Sequence, residues 1–176
     1  LQPSVEEALR STMKELAPSG FEHVTFDKAT KEEQTFLELY FKRELKPFIS
    51  GIVVNDALPF PFLKNKYIYA VVQLGAKKGV SIGVIPASTS RSERIIHLGK
   101  DGKRFILEEE VILRFAHLLF KNYKVMDRAL IRVTRSADIM VSGRGPEFRQ
   151  RMEELVDKRQ KLAPVRLEIS DVFNRT

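Results

Sequence analysis

Arginine is unevenly placed in this 176-residue chain: nine of its fifteen copies lie between positions 128 and 176. A guanidinium grips phosphate or carboxylate oxygens with two parallel N–H donors and keeps its charge throughout the physiological range. Arg132, Arg135 and Arg166 fall on or beside segments of strand character, which makes them the candidate ligands for a phosphate-bearing polyanion or for an interface. On an extended strand Arg132 shares a face with Leu130 and Thr134, and Arg135 shares the other face with Ile131 and Val133. The two can meet one ligand only if the strand bends or ends between them. Asp138, the next acid along, can pair with either arginine or cap a turn. On the helix predicted after Pro146, Arg149–Glu153 and Glu154–Lys158 have the four-residue spacing of solvent-side ion pairs.

Other reactive groups are sparse. His23, His97 and His117 lie far apart and in no metal-ligand spacing. No P-loop is present. Ser142-Gly143-Arg144-Gly145 precedes a predicted helix, whose first amides could face an anion, but it lacks the lysine and glycines of a nucleotide loop. Glu108-Glu109-Glu110 opens another predicted helix; acids there suit the positive end of the helix dipole rather than acid/base work. The absence of cysteine excludes disulfides, thiolate zinc sites and iron–sulfur clusters.

The composition is that of a globular protein, with 43% hydrophobic and 30% charged residues. No apolar run approaches the ~18 residues of a bilayer span. Thirty basic against 23 acidic residues leave a net charge of +7, which favours polyanionic partners such as nucleic acid, phosphate chains or anionic lipid. The sequence opens at Leu1 without an initiator Met or a signal-peptide pattern, and the expectation is a segment of a longer protein.

The elements that must position these groups follow from periodicity. Ser4 with Glu7, and Thr30 with Glu33, are capping-box starts for two helices, stopped at Pro18-Ser19-Gly20 and Pro47. Phe21–Phe26 is weakly extended. Residues 51–63 read as a loop carrying Pro59 and Pro61. Tyr67–Leu74 and Val80–Ile85 form a hairpin, and Arg94–Leu98 and Lys103–Leu107 form a second around a tight Asp101-Gly102 turn. A helix runs from Glu108 toward Asn122 with Val111, Phe115, Leu118 and Leu119 on its buried stripe. Ala129–Val133 is a strand, a helix follows Gly145-Pro146 with Phe148, Met152, Leu155 and Val156 inward, and Val165–Ile169 is the last strand. Without regular βαβ alternation, the expected class is α+β: a mostly antiparallel or mixed sheet with packed helices, preceded by a helical lead-in. The lead-in is assigned to residues 1–45 and the compact body to residues 46–176.

Three stretches together resemble the large, multidomain bacterial polyphosphate kinases. Tyr40-Phe41-Lys42-Arg43-Glu44-Leu45-Lys46-Pro47 followed by Leu58-Pro59-Phe60-Pro61-Phe62-Leu63 is similar to the family's "YF…E…P" and "HPFPFL". Ile131-Arg132-Val133-Thr134-Arg135-Ser136-Ala137-Asp138 is similar to "FRVTRDAD". Lys158-Arg159 followed by Pro164-Val165-Arg166-Leu167-Glu168 is similar to "KR…VRLE". Order and spacing agree over roughly residues 36 to 170. Leu58 stands where the family usually has His, Ser50-Gly51 where Thr-Pro is common, Ile131 and Ser136 where Phe and Asp are usual, and Leu162 where Gly is usual. Arg132, Arg135, Asp138 and Arg166 are retained.

The resemblance implies the middle, or head, domain of an enzyme that moves the terminal phosphate of ATP reversibly onto inorganic polyphosphate through a phosphohistidine, with Mg²⁺ assisting. It places that histidine and most nucleotide contacts on two downstream domains of phospholipase-D-like fold, so none of the three histidines here is carried over, and no cofactor is expected in this segment; ATP and Mg²⁺ belong to the full-length enzyme. It places residues 1–45 at the end of the helical N-terminal domain. The implied partners are the remaining domains of the same polypeptide, a second copy in a homodimer or higher oligomer, and inorganic polyphosphate, in the cytoplasm, with membrane association left open. Excision is expected to expose hydrophobic surface around Phe60 and Phe62. Two other readings are a stand-alone polyanion- or nucleic-acid-binding module, which needs exposed stacking aromatics, and an autonomous enzyme built around Asp138 and Arg135.

Overall fold

A computed structural model describes residues 7–8, 11–12, 14–55, 60–76, 79–87, 94–135 and 164–170. The lead-in is helical at residues 14–16 and tightens into a 3-10 turn at Ala17–Ser19. Gly20, at φ +81°, closes it in the left-handed conformation that glycine adopts without steric cost. A two-residue strand β1 (Glu22–His23) and a second 3-10 turn (Phe26–Lys28) lead to α1 (Lys31–Tyr40). The predicted capping box forms: the Glu33 N–H donates to Thr30 Oγ1 at 3.2 Å, and the Thr30 N–H donates to the Glu33 carboxylate at 2.8 Å. α1 widens into one π-helical turn, Phe41–Leu45, just before Pro47. Leu37, Phe41 and Leu45 are buried along one side of this continuous rod.

The strands are β2 (Ile52–Val54), β3 (Ile68–Ala76), β4 (Gly79–Pro86), β5 (Ile95–Leu98), β6 (Arg104–Leu107), β7 (Lys124–Arg135) and β8 (Pro164–Ile169). They make a five-stranded antiparallel sheet, β2-β4-β3-β7-β8, and a three-stranded sheet, β1-β6-β5, in which β1 and β6 run parallel. With α1 and α2 (Glu108–Arg114) packed among them, the class is α+β. α2 lies over β3 and β7. Its residues Val111, Ile112 and Leu113 share the main core with Ala70, Val72, Leu74, Ile85 and the buried side of α1. The opposite face of the large sheet carries a smaller cluster, Leu63, Tyr69, Val84 and Val133. Phe120 lies where Cβ atoms on Gly51, just before β2, and on Gly83 of β4 would come within 2.4 and 2.6 Å of its ring, so the backbone approaches the ring at both places only because it lacks side chains there.

Several expectations are revised. β2 forms inside the segment read as loop, because its three apolar residues find a partner edge in β4, Ile52 opposite Val84. Leu98 pairs with Arg104, so the second hairpin closes through residues 99–103, with Gly99 and Gly102 at φ +74° and +65°, rather than through a two-residue turn. The helix from Glu108 ends at Arg114: Phe115 leaves helical geometry at φ −97°, ψ 12°, and a 3-10 turn at Ala116–Leu118 continues the path. The predicted helix after Pro146, the Ser142–Gly145 stretch and Asp138 lie outside the described residues.

Candidate interface and polyanion site

β7 carries the candidate arginines and splits them as strand alternation requires. Arg132 faces the α2 side together with Leu130, which packs on the main core, while Ile131 and Val133 face the smaller cluster. Directly across from Arg132 on β8 stands Glu168. Arg132 donates from Nε at 2.5 Å and from Nη2 at 3.0 Å to the two oxygens of that carboxylate. Arg166, two residues before Glu168 and so on the same face, reaches it as well, Nη2 to Oε1 at 2.9 Å. The bond from Arg132 holds the Glu168 carboxyl below the usual carboxylate range, with the Arg132 and Arg166 charges adding to it, and the same bond raises Arg132. Two guanidiniums thus share one carboxylate, and their surplus positive charge is half-exposed, 50% for Arg132 and 56% for Arg166.

Arg135 turns to the opposite face. Its Nε and Nη2 donate to the Leu63 carbonyl at 3.2 and 3.0 Å, and its guanidinium carbon lies 4.2 Å from the centre of the Phe62 ring. Its backbone N–H donates to Asn65 Oδ1 at 2.9 Å, and the Lys66 N–H donates to the Val133 carbonyl at 2.8 Å. The structure therefore does not bring Arg132 and Arg135 to one ligand. It brings each to a different motif: Arg135 to the Phe60–Leu63 stretch, Arg132 to the Arg166–Glu168 stretch. Phe60 and Phe62 are exposed, at 53% and 50%.

A second charged cluster was not legible as such. Glu108, Glu109 and Glu110 stand in the first turn of α2 and are buried, at 2%, 3% and 7% exposure. The signal that could have found them is their junction with Val111-Ile112-Leu113: a helix this short with six consecutive buried residues has no solvent face, and buried carboxylates demand partners. Arg94 donates to Glu109 from Nε at 2.8 Å and also from Nη2, which raises the Arg94 pKa. His23 Nε2 lies 2.7 Å from Glu110 Oε1. That bond, helped by the charges of Glu110 and Glu109, raises the imidazole pKa against the lowering effect of burial. Arg104 bridges Glu33 of α1 and Glu22 of β1. Arg128 donates to the Leu113 and Arg114 carbonyls at the end of α2, and burial pushes it down. His97 pairs through Nδ1 with the Gly102 carbonyl at 2.7 Å, and His117 is exposed. Among the described residues no three His, Asp or Glu side chains converge as a metal would require, and no helix is long and apolar enough to cross a membrane.

With this geometry in hand, similarity to known proteins is informative. Residues 32–176 match the family model described as polyphosphate kinase middle domain. The polyphosphate kinase of Bacillus anthracis is 34% identical over 159 residues, which cover 85% of this chain and 22% of that protein. That of Halalkalibacterium halodurans is 31% identical over 161 residues, covering 89% and 23%. The crystal structure of polyphosphate kinase from Porphyromonas gingivalis matches with a TM-score of 0.64 at 19% identity, over 86% of this chain and 25% of that one, a likeness of fold. The chain spans about a quarter of the length of these relatives.

Proposed function

Because the chain belongs to the polyphosphate kinase middle-domain family, we propose that it is the head domain of an enzyme that transfers the terminal phosphate of ATP reversibly to inorganic polyphosphate, and that it serves there as a scaffold. In this reading it joins copies of the enzyme and guides the polyanion past its surface, while the phosphohistidine, ATP and Mg²⁺ are held by other domains of a cytoplasmic protein.

The observation that carries the reading is the convergence of signature stretches on β7. Each is tied there by an arginine whose donors go to protein: Arg135 to the Leu63 carbonyl, Arg132 to Glu168. Such bonds position backbone and leave the reacting atoms of phosphoryl transfer, which needs a placed nucleophile and neutralised oxygens, to be supplied elsewhere. The half-exposed surplus charge of Arg132 and Arg166 suits a passing phosphate chain.

Two measurements test this. The purified chain, given ATP, Mg²⁺ and polyphosphate, is expected to show no phosphate transfer; turnover would overturn the scaffold reading. In salt titrations with polyphosphate, heparin and single-stranded DNA, it should bind weakly and favour polyphosphate. An equally steep salt slope with all three would instead identify a generic polyanion binder.

A further inference from the structure

The lead-in meets the body at a narrow junction. Residues 14–16 and 18–22 are exposed, His23 is half-buried and Val24 is fully buried. Between the exposed stretch and Val24 lies β1, two residues long, added as a parallel strand to β6. The Glu22 N–H donates to the Lys103 carbonyl at 3.0 Å, and the Val24 N–H to the Phe105 carbonyl at 2.8 Å. A parallel ladder this short is marginal by itself. Gly20, at φ +81°, stands just before it and supplies a pivot. The match to the middle-domain family begins at residue 32, so β1 is a strand contributed from outside the matched region.

His23 adds a side-chain hold. Its Nε2 lies 2.7 Å from Glu110 Oε1, and its ring centroid 5.5 Å from that of Phe105. Charged groups approach it from three elements. From α2 come Glu110 and Glu109, and Arg94, just before β5, pairs with Glu109. On β6, Arg104 stands beside Glu22 and gives its guanidinium to Glu22 and Glu33, while the Lys103 side chain lies near Gly20. On β5, His97 stands across from Phe105, which separates the two imidazoles, and its Nδ1 pairs with the Gly102 carbonyl. The acids dominate at the His23 ring and favour the imidazolium over the opposing effect of burial.

We propose that His23 is a proton-operated clasp for the lead-in: as imidazolium it ties β1 to α2 through Glu110, and as neutral imidazole it lets β1 open about Gly20 while the Val24 side chain stays anchored. Opening releases one proton to solvent, and the ring that remains offers at best a neutral donor. A charge-assisted hydrogen bond is about twice as strong as a neutral one, a difference of roughly fivefold in the opening equilibrium. The folded imidazole titrates above its ordinary value of about 6.5, so the clasp is closed below that value and loosens as pH rises through the folded pKa. The device does not depend on the scaffold reading.

Spin-label distances test it in the full chain. Ser11 and Lys121 are exposed and the chain has no cysteine, so Ser11→Cys with Lys121→Cys accepts two labels. The distance distribution should be narrow at pH 6 and broad at pH 9, with the midpoint of the His23 titration read from imidazole NMR shifts. Glu110→Gln should lower both midpoints together. His23→Gln should give a distribution that does not change with pH, its open fraction at pH 6 roughly fivefold that of the parent. A parent distribution that stays constant while His23 titrates, or an equal change in His23→Gln, overturns the clasp. Broadening accompanied by loss of far-UV circular dichroism is unfolding of the body and overturns it as well.

Discussion

Replacing His23 should loosen β1 from the body in a way that depends on pH. The imidazole is 28% exposed, and its partner Glu110 only 9%. Its ring also packs on Phe105 with centroids 5.5 Å apart. His23→Phe preserves the ring contact and removes the donor, leaving the buried Glu110 carboxylate without it. A hydrogen bond to a charged group contributes about 1.5–3 kcal/mol, and a domain of this size loses about 2–4 °C of Tm per kcal/mol. His23→Gln keeps a neutral donor and should recover part of the loss. The sign with pH follows from the direction of the shift. The folded imidazole titrates above its unfolded value of about 6.5, so its contribution is full below that value and fades as pH rises through the folded pKa. The stability gap between the parent chain and His23→Phe, measured by urea denaturation from pH 6 to 9, should therefore be widest at the acid end. A gap that is flat, or that widens with pH, refutes the ion pair. So does an unchanged midpoint at pH 6.

Gly83→Ala should cost about 1–3 kcal/mol, because its Cβ would lie 2.6 Å from both the Phe120 ring and a Val72 methyl; trimming Phe120 to Leu in the same chain should recover part of this in thermal melts. Glu168→Gln should cost only about 0.2–1 kcal/mol, since Arg132 and Arg166 are half-exposed. Because the folded Glu168 pKa is depressed, that difference is present above the unfolded value of about 4.3 and is lost as pH falls through the folded one. The same substitution should strengthen polyphosphate binding by releasing two guanidiniums, which fluorescence titration would detect. Thr30→Ala removes the side-chain half of the α1 cap and should cost about 1 kcal/mol, read as a lower urea midpoint.

Much of the fold was legible where one local force dominates. The α1 start was visible because a capping box is a short-range hydrogen-bond pattern. The β3–β4 hairpin was visible because β-branched and aromatic residues on both sides of a turn have few other arrangements. β2 was hidden because three residues carry no periodicity; only the β4 edge makes Ile52–Val54 a strand. The end of α2 was hidden because Phe115 leaves the helix to reach Phe26 and Phe41, with ring centroids 5.4 and 5.3 Å away, a tertiary demand. At the candidate site, strand alternation alone separated Arg132 from Arg135. The partners Leu63 and Glu168 depended on which strands meet and in what register, which no local pattern encodes.

Those partners also decide how the arginine-rich end of the chain should be understood. Arginine fits both phosphate binding and planar protein contacts, so its count alone does not distinguish them. Arg135 lies between an aromatic face and a carbonyl, a geometry that uses the flat fork and that lysine would not reproduce. Arg128 is spent on the carbonyls ending α2, where positive charge complements the helix dipole. These two hold β7 in place. Arg132 and Arg166 differ, because two cations share one carboxylate at a half-exposed strand edge.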